Sequence, residues 1–278
     1  MNPNVDPDAG PLIVSFCDGE RYEKIKSHWV QRVLDKCGDN QHIQVLHGDP
    51  ELRRLMRIDA DYAWWDVERM KSVLSTLKKG RIAIHIDMDI ILEKNVLPLA
   101  DLPYDLIISR EIGGANAYPT ECSQKLGFGM CSGFYIAKPT ANRFLEHIFT
   151  LMKRRVYGNY SDQVALMNYI SNHPRYSMRE EPCTYDDRVY INNIIKLGGI
   201  DEISICVLDF DIVTRDPILN YQQFANHINI DNVGGEDEFI RYFYNNLEAL
   251  PLTCRCGKEH LGNTDECSHI AMRNNGTI

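Results

Sequence analysis

The sequence predicts an α/β fold, a mostly parallel sheet flanked by helices. Three observations predict it: short apolar runs alternate with amphipathic helical stretches, glycines close those stretches, and the length of 278 residues suits one large domain. Pro11 to Cys17 (PLIVSFC) is a continuous apolar run of strand length, followed by Tyr22, Ile25, Trp29 and Val33 on one helical face that stops at Gly38. His42 to His47 alternates like a strand. A second helix is expected from about Trp65, with Val67, Met70, Leu74 and Leu77 on one stripe, Lys78 and Lys79 in its last turn and Gly80 beyond it. Arg81 to Ile86 reads as a third strand, Asp105 to Ser109 as a fourth and Gly133 to Ala137 as a fifth. Pro139 and Thr140 then lead into a helix burying Phe144, Leu145, Ile148, Phe149 and Met152. In open sheets of this kind ligands bind beyond the carboxyl ends of strands, so residues ending strands are the first to examine.

Composition excludes several classes. With 30 basic and 39 acidic residues the chain carries a net charge of -9, and no strong basic patch interrupts it, so neither nucleic acid nor an anionic membrane is an expected partner. No segment approaches the length of an apolar membrane span, and Met1 to Asp8 lacks the basic and apolar regions of a secretory signal, which gives a cytoplasmic expectation. Six of the nine cysteines (Cys17, Cys37, Cys122, Cys131, Cys183, Cys206) are scattered among apolar neighbours, as reduced core thiols are. The other three join two histidines in Cys254-x-Cys256-x3-His260-x6-Cys267-x-His269. Residues 251–278 therefore read as a polar tail after a 1–250 domain, either flexible and reduced or holding a structural Zn²⁺. The sequence sets no oligomeric state.

Chemistry concentrates where the third strand ends. Arg81 to Ile86 runs directly into Asp87-Met88-Asp89, and apolar Ile90, Ile91 and Leu92 follow. Carboxylates set in an apolar segment are costly to bury without a cation or strong donors. A hard divalent ion, Mn²⁺ or Mg²⁺, which completes its shell with phosphate oxygens and water, answers that need; capping of the next turn is the simpler reading of an isolated Asp-x-Asp. A second copy, Asp209-Phe210-Asp211, follows the strand-like Ile203 to Leu208, so one of the two is expected to be a decoy.

The helix, Gly80, strand and Ile86-Asp87-Met88-Asp89-Ile90 together resemble the Asp-x-Asp segment of nucleotide-diphospho-sugar glycosyltransferases with the GT-A fold. Gly129 to Ile136 is similar to the small-residue strand that shapes their donor-sugar pocket. Ser161-Asp162-Gln163 matches the acid-Gln pair opening an apolar helix, and Asn226-His227-Ile228-Asn229 resembles the late His of the metal site. The four segments stand in family order and cover roughly Pro11 to Leu247; the late His lacks the closely following Gly and Lys-Pro-Trp of one family variant. The resemblance implies a GT-A mixed sheet and transfer of a sugar from a nucleotide diphosphate, a UDP-sugar before others, to a glycan hydroxyl. It implies metal ligation by Asp89 and His227, with Asp87 helping through ribose or water, and a donor pocket lined by Ser132 and Gly133. It also places nucleotide contacts at Ser15, Phe16 and Cys17. Asp162, at the start of a helix capped by Ser161, is either the general base, a positioner of the donor sugar, or merely part of the cap.

Further candidates carry less. Lys71 is a possible phosphate ligand on the helix before the acids, opposite its apolar stripe. Tyr22 could stack on a base, Arg110 and Glu111 could face sugar hydroxyls, and Trp64 with Trp65 could form an acceptor platform. The rival enzyme class is a haloacid-dehalogenase-type Mg²⁺ phosphatase, with Asp87 as nucleophile, Ser109 as the phosphate-binding hydroxyl and Asp186-Asp187 as late acids. A scaffold that keeps the fold without catalysis is the third class.

Overall fold

The computed structural model describes residues 10–17, 19–47, 62–158, 161–185, 187–199, 202–214, 224–228, 230, 235–244, 252–253 and 259–260. In chain order the principal elements are β1 (Leu12–Cys17), α1 (Gly19–Cys37), β2 (His42–His47), α2 (Tyr62–Lys78), β3 (Ala83–Ile86), β4 (Ile90–Leu92), β5 (Leu106–Glu111), α3 (Thr120–Leu126), β6 (Gly129–Ala137), α4 (Asn142–Lys153) and α5 (Asp162–Ser171). There follow β7 (Tyr176–Tyr185), β8 (Arg188–Leu197), β9 (Ile203–Val207), β10 (Val213–Thr214), β11 (Ala225–His227), α6 (Glu236–Tyr244), β12 (Leu252–Thr253) and β13 (Glu259–His260).

Eight strands form one sheet in the order β2-β1-β3-β6-β5-β9-β8-β7. The expected strand-helix alternation is present, and β1, β2, β3, β5, β7 and β9 run in one direction while β6 and β8 run against them. The reversal of β6 has a local cause. Between β5 and β6 the chain makes a 3-10 turn at Gly114–Asn116 and the seven-residue α3, and at 1.5 Å per residue α3 advances about 10 Å. That is about half the length of a six-residue strand such as β5, so no helix lies along the sheet here as the crossover helix of a parallel pair does. The strand therefore re-enters beside the end it left, antiparallel to both β3 and β5. All nine residues of β6 are buried, which makes it the centre of the core.

The helices cover both faces, giving two apolar layers. Trp29, Ile25 and Val33 of α1 pack with Ile13, Ile84, Ile86 and Phe134 on one side. The stripe Val67, Met70, Val73, Leu74 and Leu77 of α2 packs with Leu145, Ile148 and Tyr135 on the other. Two features lay outside the sequence reading. A hairpin of two ten-residue strands, β7 and β8, extends the sheet beyond β9, and a small three-stranded sheet, β10-β11-β4, adjoins it. Among the described residues no helix is long and apolar enough to cross a membrane. Cys254, Cys256, Cys267 and His269 of the proposed zinc tail, together with Asp186 and Asn229, lie outside the described residues.

Candidate active site

β3 delivers its acids into a turn tied to β6. The Asp87 N–H donates to the Gly133 carbonyl (2.8 Å), the Ile90 N–H donates back to the Asp87 carbonyl (3.0 Å), and the buried β4 follows. β4 then pairs antiparallel with β11, setting Ile90 opposite His227, and the Ile228 N–H donates to the Asp89 carbonyl (2.9 Å). This small sheet brings residues far apart in sequence together. His227 Nε2 lies 3.1 Å from Asp89 Oδ1, its Nδ1 faces Cys131 Sγ at 3.6 Å, and ligand atoms of Asp87, Asp89 and His227 all lie within 4.8 Å of one another. Burial works against a charged His227, but Asp89 and then Cys131 outweigh it and raise its pKa well above the ordinary value.

Gly133 fits this group for a reason the sequence did not reveal. β6 bulges between its pairings to β5, so that Ile108 faces Tyr135 while Ser109 faces Cys131, leaving Ser132, Gly133 and Phe134 without a partner on β5 while Phe134 pairs with Ile86 of β3. A Cβ on Gly133 would stand 2.6 Å from His227 Cε1 and 2.8 Å from Asp87 Oδ2. The missing side chain thus makes room for the acid and the imidazole themselves, a nearer cause than the sugar ring the sequence suggested. Two carboxylates and an imidazole in such a cradle are a donor set suited to Mn²⁺ or Mg²⁺.

Behind the acids lies a buried ion network centred on Arg69, which sequence reasoning missed. Arg69 donates to both oxygens of Asp162 (Nη2 to Oδ1 2.6 Å, Nε to Oδ2 3.0 Å), to Asp66 Oδ1 (2.6 Å), to Asp87 Oδ1 (3.2 Å) and to Ser132 Oγ (3.2 Å). His85 is fully buried, with Nδ1 facing the Val14 carbonyl (3.1 Å) and Nε2 facing Asp87 Oδ1 (2.8 Å). Burial and the Arg69 charge lower the His85 pKa. Burial also pushes Asp87 upward, but His85 and then Arg69 more than offset it, and its carboxyl sits below the usual range. A signal was available in the chain: Asp66 and Arg69, three residues apart, flank the apolar stripe of α2, where a charge needs a partner.

Asp66 is pushed up to about 8, first by burial and then by the neighbouring Asp162 charge. A carboxyl whose folded-state pKa exceeds its unfolded value binds more protons folded, so its contribution to stability is present below pH 4 and lost as pH rises toward 8. Asp66→Asn is therefore expected to gain stability relative to the parent as pH rises through that window. Denaturant titrations of both proteins at pH 5 and pH 8 check it, and an unchanged difference between the two pH values would contradict the burial account.

The remaining candidates divide clearly. Ser161 caps α5 as expected, its side chain accepting from the Val164 N–H. Asp162 is buried with both oxygens engaged by Arg69 and a further Gln163 N–H at 2.7 Å, an arrangement that holds a guanidinium. Lys71 is not drawn into the site: it lies on the exposed face of α2, paired with Glu68, and Arg69 occupies the side that faces the acids. Ser15 and Cys17 are buried at the end of β1, while Phe16 stacks on Trp65 (centroids 6.3 Å apart), with Tyr22 edge-on at 6.5 Å. Arg110 lies over the Phe128 ring at 5.0 Å, and buried Glu111 accepts the Ile112 N–H. The second Asp-x-Asp is structural. Asp209 accepts the Ile191 and Asp211 N–H groups at 2.8 and 3.0 Å, which ties β8 to the turn after β9. Ser109 is buried and donates to the Cys131 carbonyl (3.0 Å), so the hydroxyl the phosphatase reading requires is spent inside the sheet.

No known family profile matches the sequence, and no curated protein is detectably similar to it. Solved structures are. A glycosyltransferase involved in glycosylation of the major capsid of PBCV-1 superposes with TM-score 0.51 at 10% identity, covering 84% of this chain and 98% of that one. An active-site mutant of LgtC gives TM-score 0.50 at 12% identity, covering 86% and 97%. The bifunctional glycosyltransferase WbbM gives TM-score 0.52 at 14% identity over 88% of this chain, which spans about half (51%) of WbbM. The chain has the GT-A fold of glycosyltransferases.

Proposed function

We propose that the protein is a metal-dependent glycosyltransferase that moves a sugar from a nucleotide diphosphate, with UDP-sugars the first donors to test, to a glycan hydroxyl. The observation that carries this is the convergence of Asp87, Asp89 and His227 at one strand end of a GT-A fold, from segments about 140 residues apart in sequence. These three residues would hold Mn²⁺ or Mg²⁺, which when bound neutralises charge growing on a leaving diphosphate. The other roles belong to side chains. Phe16, Tyr22 and Trp65 offer aromatic faces for the base beside the end of β1, where Ser15 and Cys17 form the floor. Ser132 and Gly133 line the donor-sugar side, and Asp162 fixes Arg69 against Asp87. In this reading Asp162 is a positioning residue for the donor end, which suits a reaction that needs no carboxylate base at that place.

Asp89→Ala is expected to abolish Mn²⁺-dependent hydrolysis of the preferred nucleotide sugar, and because the change also removes the ion-pair partner of buried His227, a melting curve of the variant accompanies the assay. A screen of nucleotide sugars with parent and variant tests it. If every donor is inert, and the variant binds nucleoside diphosphate with Mn²⁺ as the parent does, the assignment is wrong. Turnover of a generic aryl phosphate would instead favour phosphatase chemistry.

A further inference from the structure

A second group of chemically distinct ligands lies at the neighbouring strand ends. Cys17 ends β1 and His47 ends β2, and because these strands pair in parallel with Cys17 opposite His47, the sheet delivers a thiol and an imidazole side by side. α1 begins two residues after Cys17 and brings Glu23 over both. Ligand atoms of Cys17, Glu23 and His47 lie within 4.8 Å of one another, and His47 Nδ1 is already 2.9 Å from Glu23 Oε1. Lys26 Nζ holds the other oxygen, Oε2, at 2.5 Å, and that bond keeps the carboxyl below its ordinary pKa with Oε1 turned inward. Cys17 is only 2% exposed, whereas the His47 and Glu23 side chains are 51% and 47% exposed, so sulfur forms the floor of the group and nitrogen and oxygen form its rim.

We propose that Cys17, Glu23 and His47 form a second cation site, for a thiophilic divalent ion of the zinc class, with its fourth position open to water. The donor sets sort the two sites. Asp87, Asp89 and His227 present two hard oxygens and suit Mn²⁺ or Mg²⁺, whereas a thiolate with imidazole and one carboxylate selects Zn²⁺. Three protein ligands with an exchangeable fourth position are the usual makeup of an open tetrahedral zinc site. On binding, the Cys17 sulfur gives up its proton to solvent and His47 exchanges its contact with Glu23 for the ion. The ion then ties together β1, β2 and α1, and binding to the folded chain alone raises its stability.

The test uses the full chain with Cys254, Cys256 and Cys267 changed to serine and Asp89 to alanine, so that neither the tail nor the first site contributes. The metal-free protein is titrated with Zn²⁺ by calorimetry and with Co²⁺ by absorption, where a sulfur-to-cobalt charge-transfer band reports thiolate ligation. One equivalent of Zn²⁺ and the band are expected. Cys17→Ser should remove the band. His47→Ala, at an exposed position that does not endanger folding, should weaken Zn²⁺ more than about tenfold, the loss already typical of a supporting partner. Absence of the band in the parent, or Zn²⁺ affinity unchanged in both variants, overturns the proposal. Either result leaves the glycosyl-transfer reading untouched, since no donor is present.

Discussion

Replacing Arg69 by methionine is expected to destabilise the protein by about 3–5 kcal/mol, the range for removing one partner from a buried ion group. The reason is the imbalance left behind: Asp66, Asp87 and Asp162 converge on one guanidinium, and methionine fills its volume without its charge or its N–H donors. Lysine restores the charge but not the fork that engages both Asp162 oxygens, so Arg69→Lys should recover only part of the loss. Pairing Arg69→Met with Asp162→Asn should recover part by the other route, through removal of an uncompensated carboxylate. Denaturant unfolding of the four proteins reads these differences directly. A loss under about 1 kcal/mol for Arg69→Met, the value of an exposed pair, would mean that the network is not closed as described.

Gly133→Ala should be the single-methyl change that most disturbs the proposed metal ligands, since the Cβ it adds meets two of them directly. Its Cβ would meet His227 Cε1 at 2.6 Å and Asp87 Oδ2 at 2.8 Å, closer than such contacts are tolerated, and the atoms that must yield are the proposed ligands. Overpacking of this kind costs about 1–3 kcal/mol. Displaced ligands should also weaken Mn²⁺ on the order of 10–100-fold, as loss of ligand orientation does elsewhere. Gly198→Ala is the control, because nothing lies nearer than 3.7 Å to the Cβ it would add. Melting curves and Mn²⁺ titrations of the two variants should separate clearly. Equal metal affinity in both would show that Gly133 does not make room for the ligands.

Much of the site was legible because its acids interrupt an apolar strand, where the energetic anomaly is local and visible in one segment. His227 was legible only through resemblance, since nothing near Asn226 marks it as a ligand. Arg69, Asp66 and His85 escaped because each looks ordinary alone: two charged residues on a helix and a histidine in a strand. Lys71 drew attention instead, being a cation on the same helix, yet two residues along an α-helix turn the side chain to the far face. The decoy at Asp209 was unresolvable in the sequence, because a carboxylate that accepts backbone N–H groups and one that holds an ion present the same residues.

The sequence by itself determined the alternation of strands and helices, the strand end at which two carboxylates emerge, and the capped start of α5, because periodicity, burial cost and capping all act within a few residues. The tertiary structure decided the antiparallel entry of β6, the bulge that places Gly133 against Asp87, the small sheet that carries His227 to Asp89 and the clustering of three acids around Arg69. Each of these depends on contacts between segments far apart in the chain, and a pairing of that kind leaves no periodic trace in either partner.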